Sequence, residues 1–327
     1  MTAWAAGRRA FAMGMVGLIA ASLFAPVRAE TPKPLTIVAT TSMIADAARQ
    51  VGGRHVEVTA LMGPGVDPHT YRQTRSDIAA MSRADAVFWH GLYLEAQLED
   101  FLTELGKRRK VVALADTLPK ALLRAHYQYQ GRYDPHVWMD PKRWIHVVRA
   151  AEAELSALAP YAKAEFAANA ARHIAQIEEL AAYAERVLST VPKEARVLIT
   201  AHDAFSYFGQ AYNFEVLGIQ GISTESEAGL KQVETLVDTI VARKIGAIFV
   251  ESSVSDRNVK ALVEGAAAKG HKVVIGGQLY SDAMGPVGTY EGTYIGMIDH
   301  NVTVIARALG GQPPARGMNG QLAELRN

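Results

Sequence analysis

The chain of 327 residues carries 34 Lys and Arg against 33 Asp and Glu, a balance that argues against nucleic acid as a partner. It has no cysteine, which removes disulfides, a cysteine nucleophile, thiolate metal sites and a cysteine to carry lipid, so a chain that is not lipid-anchored is expected. Its length and ordinary apolar fraction allow two lobes with cores of their own, and any bound metal must be held by imidazole and carboxylate.

Residues 1–29 have the layout of a secretory signal: Arg8-Arg9, an uncharged apolar run from Ala10 to Pro26, then Val27-Arg28-Ala29 as a cleavage site before Glu30. Cleavage near Ala29 predicts a periplasmic protein of near-neutral charge. The paired arginines suit either the general or the twin-arginine export route. A retained membrane anchor is the alternative, but the uncharged run is shorter than the ~20 residues that span a bilayer.

Beyond the signal, Leu35 to Thr40 is a short apolar run rich in β-branched residues, followed by a helical pattern from Met43 to about Val51. The unit recurs as a strand at His55 to Leu61 with a helix at Arg75 to Ser82, and as a strand at Ala86 to Trp89 with a helix at Glu95 to Leu105. A further strand is predicted at Val111 to Leu114. Such alternation predicts a parallel sheet with helical crossovers. An amphipathic helix follows from Lys142 to Leu158, and a second runs from beyond Pro160 to about Thr190. At ~1.5 Å per residue the second would be roughly 45 Å long, which suits a rigid strut between lobes. A helical hairpin packed on one lobe is the alternative.

The second half repeats the pattern. Strands are predicted at Arg196 to Thr200, Glu215 to Leu217, Ala247 to Val250 and Lys272 to Ile275, with helices near Phe205 to Ala211, Leu230 to Lys244, Asp256 to Lys269 and Tyr294 to Leu309. The expected fold is therefore α/β, with an N-terminal lobe at 30–159, a spanning helix at 160–191 and a C-terminal lobe at 192–327.

One stretch resists reading as plain core or loop. In Asp134-Pro135-His136-Val137-Trp138-Met139-Asp140-Pro141 a histidine is bracketed by two Asp-Pro pairs. Each proline fixes its own φ and pushes the preceding residue out of the helical region, which predicts extended backbone on both sides of His136. The tripeptide occurs earlier as Asp67-Pro68-His69, behind Gly63-Pro64-Gly65. Asp-Pro is also a common surface-turn signal, so the motif needs partners elsewhere.

Open parallel sheets bind ligands beyond the carboxyl ends of their strands. His202 follows the strand ending at Thr200, Asp282 lies in the loop expected after Ile275, and His69 and His136 sit in loops that follow strands of the first half. Three imidazoles and one carboxylate are a set that zinc accepts readily and that manganese or iron tolerates at higher coordination. Their separations match no local signature such as HExxH, so spacing alone leaves the grouping open.

Several segments resemble the cluster A-I solute-binding proteins of metal ABC transporters, of the TroA type. They are Thr200-Ala201-His202-Asp203-Ala204-Phe205-Ser206-Tyr207-Phe208, Ile248-Phe249-Val250-Glu251-Ser252-Ser253, Ser281-Asp282-Ala283-Met284-Gly285 and both Asp-Pro-His motifs. The resemblance covers nearly the whole chain after the signal. It implies two (β/α) lobes joined by a rigid helix, with one divalent metal held in the cleft by His69, His136, His202 and Asp282. Manganese-type relatives place Glu where this chain has His202, which leans toward zinc. The long His- and acid-rich loop of many zinc relatives is missing, since the segment from Thr117 to Asp134 holds only His126.

The function implied is a periplasmic receptor, not an enzyme, that captures one Zn(II) per chain, with Mn(II) or Fe(II) as alternatives. It would deliver the ion to a membrane ABC permease and work as a monomer. Affinity is expected to fall below about pH 6, where ordinary histidines gain protons. The alternative is an exported metal-dependent hydrolase, which needs an open coordination position and a base, with Glu251 the one near candidate. An exported adhesion module has no specific sequence support. Glu251 is expected either to orient a ligand or to serve as a strand-end partner, and Asp203 either to brace His202 or to cap the next helix. His90 suits a cleft-rim or structural role. His55, His126, His146, His173, His271 and His300 read as surface or packing residues, and Trp89, Trp138 and Trp144 as core or as cover for the site.

Overall fold

The computed structural model describes residues 1, 2 and 32–323, so nearly all of the signal segment expected at 1–29 lies outside the described residues. In the first half, β1 (Leu35–Ala39), β2 (Val56–Ala60), β3 (Ala86–Trp89) and β4 (Val111–Ala113) form an all-parallel sheet in the order β2-β1-β3-β4. Parallel neighbours require crossovers, and α1 (Ser42–Gly52), α2 (Arg75–Arg83) and α3 (Glu99–Gly106) supply them. The helix starts are written locally. Thr41 accepts from the Ile44 amide at the head of α1, and Thr74 with Asp77 closes a reciprocal capping box on α2.

Two long helices follow. α4 (Pro141–Leu158) opens with proline at its first position, where no amide is needed, and Asp140 accepts from the Lys142 amide. α5 (Lys163–Leu188) has 26 residues, about 39 Å at ~1.5 Å per residue, because Pro160–Ala162 forms a separate 3-10 turn. In the second half β5 (Val197–Thr200) pairs with β6 (Glu215–Gly218), and β7 (Ala247–Glu251) pairs with β8 (Val274–Leu279), both parallel. β5 lies beside β7, but among the described residues ladder bonds form only within each pair. α6 (Ser206–Tyr212), α7 (Leu230–Ala242), α8 (Arg257–Ala268) and α9 (Tyr294–Ala308) complete the half.

The core explains how the halves are held. One apolar cluster fills the first sheet's outer face with Val38, Met81, Leu98 and Leu102, and another lies under α7 and α8 with Ile199, Ile240, Ile248 and Leu262. The largest runs through both halves, from Ile37 and Phe88 past Trp144, Phe166 and Leu180 to Phe205, Tyr294 and Ile298. α5 sits inside this shared cluster, packed on α1 and α4 from one half and on α9 from the other. It packs against elements of both halves and, with α4, forms a helical hairpin.

Three local expectations are corrected. α3 begins at Glu99 and not at Glu95, because Gly91, Leu92 and Tyr93 all take positive φ and Glu95 folds its carboxylate back onto the His90 and Gly91 amides. The backbone after His136 is not extended: Val137–Met139 form a 3-10 turn, and only Asp140, ahead of Pro141, is extended. β8 runs on through Gly276 and Gly277 to Leu279, with a register shift opposite Ile248 and Phe249.

Those two glycines let α9 lie directly on β8. A Cβ at Gly276 would stand 2.7 Å from the Ala308 methyl, and one at Gly277, where φ is +150°, 2.5 Å from a Val304 methyl. Gly277→Ala is expected to cost about 1 to 3 kcal/mol through backbone strain and overpacking, read as a lower denaturant midpoint. An unchanged midpoint would contradict this close seating.

Candidate metal centre

The four side chains singled out in the sequence meet at one point. His69 follows β2, His136 follows β4, His202 follows β5 and Asp282 follows β8, so all four lie beyond strand carboxyl ends. One ligand-type atom from each lies within 4.8 Å of the others, and all four residues are at most 2% exposed. The His136 Nε2 is 3.3 Å from both His69 Nε2 and His202 Nε2. The Asp282 carboxylate faces them, with Oδ1 3.4 Å from His136 Nε2, and Oδ2 3.2 Å from His202 Nε2 and 3.9 Å from His69 Nε2.

Neither oxygen of Asp282 has a hydrogen-bond partner, although both are buried. The rings stand close to them without hydrogen-bond alignment. Orphaned buried carboxylate oxygens are costly unless a cation or donor satisfies them. Four donors about 2.0 to 2.2 Å from a common ion at tetrahedral angles are roughly 3.3 to 3.6 Å apart, which is the spacing of most pairs here. The donor set, three imidazoles and a carboxylate without sulfur, fits a borderline divalent metal.

The rings are held by their outer nitrogens. The Asp134 Oδ1 accepts from the His136 amide at 3.0 Å and from its Nδ1–H at 2.8 Å, while Tyr207 donates to the Asp134 carbonyl oxygen. The Glu251 Oε1 accepts from the His202 amide at 2.9 Å and its Oε2 lies 2.5 Å from Nδ1. A carboxylate at Nδ1 fixes the tautomer that leaves Nε2 free in the neutral ring. In the first Asp-Pro-His motif the Asp67 carboxylate serves the backbone: it accepts from the His69 amide, and from the Thr70 and Thr224 hydroxyls.

Glu251 orients His202. Asp203 accepts from Ser206 at the start of α6 and makes no hydrogen bond to the His202 ring. His90 is fully buried and not at a rim: its Nε2 donates to the Pro135 carbonyl oxygen at 2.7 Å, and burial depresses it to about 3. His126 closes a turn, its Nδ1 accepting from the Gln128 and Tyr129 amides. Trp138 and Trp144 are buried core. The orienting role of Asp134 was not anticipated, although an Asp two residues before each histidine was a visible signal for it. Glu95, buried and pushed up to about 7, was passed over as an ordinary helix residue.

Fold and cluster together define a solute-binding protein of the metal-uptake class. Residues 37–308 match the family model for the zinc-uptake complex component A, periplasmic, and the chain belongs to that family. It is 45% identical over 303 residues to the manganese-binding lipoprotein MntA of Bacillus subtilis (strain 168), covering 90% of this chain and 99% of that one. It is 44% identical over 277 residues to the zinc-binding protein TroA of Treponema pallidum (strain Nichols), covering 85% and 89%. The solved structure of the periplasmic zinc-binding protein TroA from Treponema pallidum superposes with a TM-score of 0.82 at 43% identity, covering 84% of this chain and 99% of that one. These are named as binding proteins, which leaves the hydrolase alternative without support. MntA is named a lipoprotein, which overturns the expectation that a chain of this kind is not lipid-anchored; the missing cysteine bears only on lipid carried by cysteine.

Electrostatics inside the cluster are strongly coupled. Burial opposes a charged His136, but Asp134 and Asp282 outweigh it and hold the ring up at about 9. Burial likewise opposes a charged His202, and Asp282 and Glu251 raise it well above the usual value, whereas burial keeps His69 well below. Burial would raise Asp282, yet His202 and His136 hold it well below the carboxylate range. Because the folded value of His136 exceeds the ordinary ~6.5, its proton stabilises the metal-free fold fully below about pH 6.5, and that contribution is lost as pH rises through about 9. Imidazole NMR of the metal-free protein should show His136 titrating near 9, and Asp134→Asn should lower that value. Titration of wild-type His136 near 6.5 would contradict the assignment.

Proposed function

We propose that this protein captures one divalent transition-metal ion outside the cytoplasm and hands it to the membrane permease of an ABC importer. His69, His136 and His202 supply three Nε2 donors and Asp282 supplies carboxylate oxygen. The observation that carries this reading is the buried Asp282 carboxylate, with both oxygens unpartnered and three imidazole nitrogens within 3.9 Å. The metal is cargo: the chain binds it and does no chemistry on it. Asp134 and Glu251, hydrogen-bonded to Nδ1 of two ligands, raise the basicity of those rings and fix their aim.

Zn(II) is the favoured cargo. The similar relatives are named for manganese in one case and zinc in the other, so the choice rests on the donor set. Three imidazoles suit a borderline ion better than the harder Mn(II). The segment up to Ala29 directs export in this reading, and a monomer divided into lobes at 30–159 and 192–327, with the helix at 160–191 between them, carries the site. Support for two ligand-bearing halves comes from the separate apolar clusters under the two sets of strands.

Metal must displace the protons held by the cluster. Since His136 is held up at about 9 and His202 is also raised, binding should release protons even at pH 7. Affinity should then climb with pH up to about 9, and the loss on acidification begins well above the pH 6 expected from ordinary histidines. Calorimetry in buffers of different ionisation enthalpy should show one zinc per chain, release of protons at pH 7, and tighter binding of zinc than of manganese. Zinc binding with no proton release, or no zinc binding at all, would sink this assignment.

A further inference from the structure

The sequence divides the four ligand residues evenly, two from each half, but the hydrogen bonds around Asp282 divide them otherwise. The Asp282 loop, from the end of β8 to the start of α9, is fastened to the first half at four points. The Trp138 Nε1 donates to the carbonyl oxygen of Ser281, the residue before Asp282, at 2.8 Å. The Met284 amide, two residues after it, donates to the Ser42 hydroxyl on α1 at 3.1 Å. The Tyr294 amide, at the loop's far end, donates to the Asp46 carboxylate one turn further along α1 at 3.1 Å. The Tyr294 hydroxyl returns to the Trp138 carbonyl oxygen at 2.8 Å.

Trp138 is the centre of this set. It lies two residues after His136 in the 3-10 turn, is fully buried, and packs edge-on against the His136 ring with centroids 5.1 Å apart. Its other neighbour, His90, holds the Pro135 carbonyl oxygen on the other side of His136. One indole thus touches the ring of His136 and the backbone beside Asp282. Leu279, Met284 and Tyr294, which flank the Asp282 loop, pack in the core shared with Ile37 and Trp138, as do Phe205 and Phe208 beyond His202.

We propose that Trp138, Ser42 and Asp46 are positioning residues that bind the Asp282 loop to the first half, so that His136 and Asp282 form a preset pair. This rests on the reading of the four residues as a metal site. The pair need not be assembled when metal arrives, which lowers the ordering cost of binding and slows release. Separating Asp282 from His136 requires breaking four buried or half-buried hydrogen bonds.

The test uses Co(II) chloride, whose visible absorption reports coordination geometry, and a chelator chase that reports release, on the wild type and on Trp138→Phe and Ser42→Ala. Tyr183→Phe, which removes a buried hydroxyl bonded to Thr303 away from the loop, serves as the control for general loosening. Trp138→Phe should alter the Co(II) spectrum and speed release by about 10-fold or more, Ser42→Ala should do so to a smaller degree, and the control should leave both unchanged. If Trp138→Phe fails to fold, Ser42→Ala carries the test alone, since it deletes one half-buried hydroxyl. Wild-type spectra and release rates in the variants, or the same changes in the Tyr183→Phe control, would overturn the positioning role while leaving the site reading intact. A wild type that takes up no Co(II) would remove both.

Discussion

A carboxylate taken out of water costs on the order of several kcal/mol unless something positive stands beside it, and Asp282 is buried with no hydrogen bond to either oxygen. The rest of the site is arranged around that charge. Three imidazoles face it, two of them backed by carboxylates of their own at Nδ1, so the cluster concentrates negative charge around a space bounded by nitrogen and oxygen. Without metal, His136 and His202 answer that charge by holding protons. With metal, one divalent ion replaces the protons, and the same carboxylates that raised the rings' proton affinity raise their affinity for the ion. Capture and pH dependence are two expressions of one electrostatic arrangement.

The scaffold has to keep four residues from distant parts of the chain within about 0.5 Å of their places. It does so by setting each at the carboxyl end of a parallel strand and by running one apolar core through both halves, with α5 packed between α1, α4 and α9. Close-packed helices resist independent movement of the halves. Around Asp282 the tie is stronger still, since α1 and the His136 turn grip its loop directly.

Much of this was legible in the sequence because it depends on local chemistry. The strand-helix alternation places β1 to β7 within a few residues, and the repeated Asp-Pro-His motif with His202 and Asp282 identifies the cluster. What escaped depends on contacts between distant segments. The end of β8 was misplaced because Gly276 and Gly277 read as a loop, whereas they are thinned so that α9 can lie on the strand. The turn after His136 was misread because Pro135 governs the residue before it and says nothing about Val137 to Met139. His90 and Glu95 look like ordinary strand-end and helix residues, and only burial makes them the internal props of the His136 turn and the 90–95 loop.

Three histidines and one aspartate that hold a single ion leave a direct spectroscopic signature. X-ray absorption spectroscopy of the zinc-loaded protein tests for it most directly, since the scattering of imidazole rings can be counted. The expected result is one zinc per chain with nitrogen and oxygen donors alone at about 2.0 to 2.2 Å and the outer-shell signature of three imidazoles. A spectrum with one imidazole or none, or a first shell made chiefly of water oxygens, would contradict it.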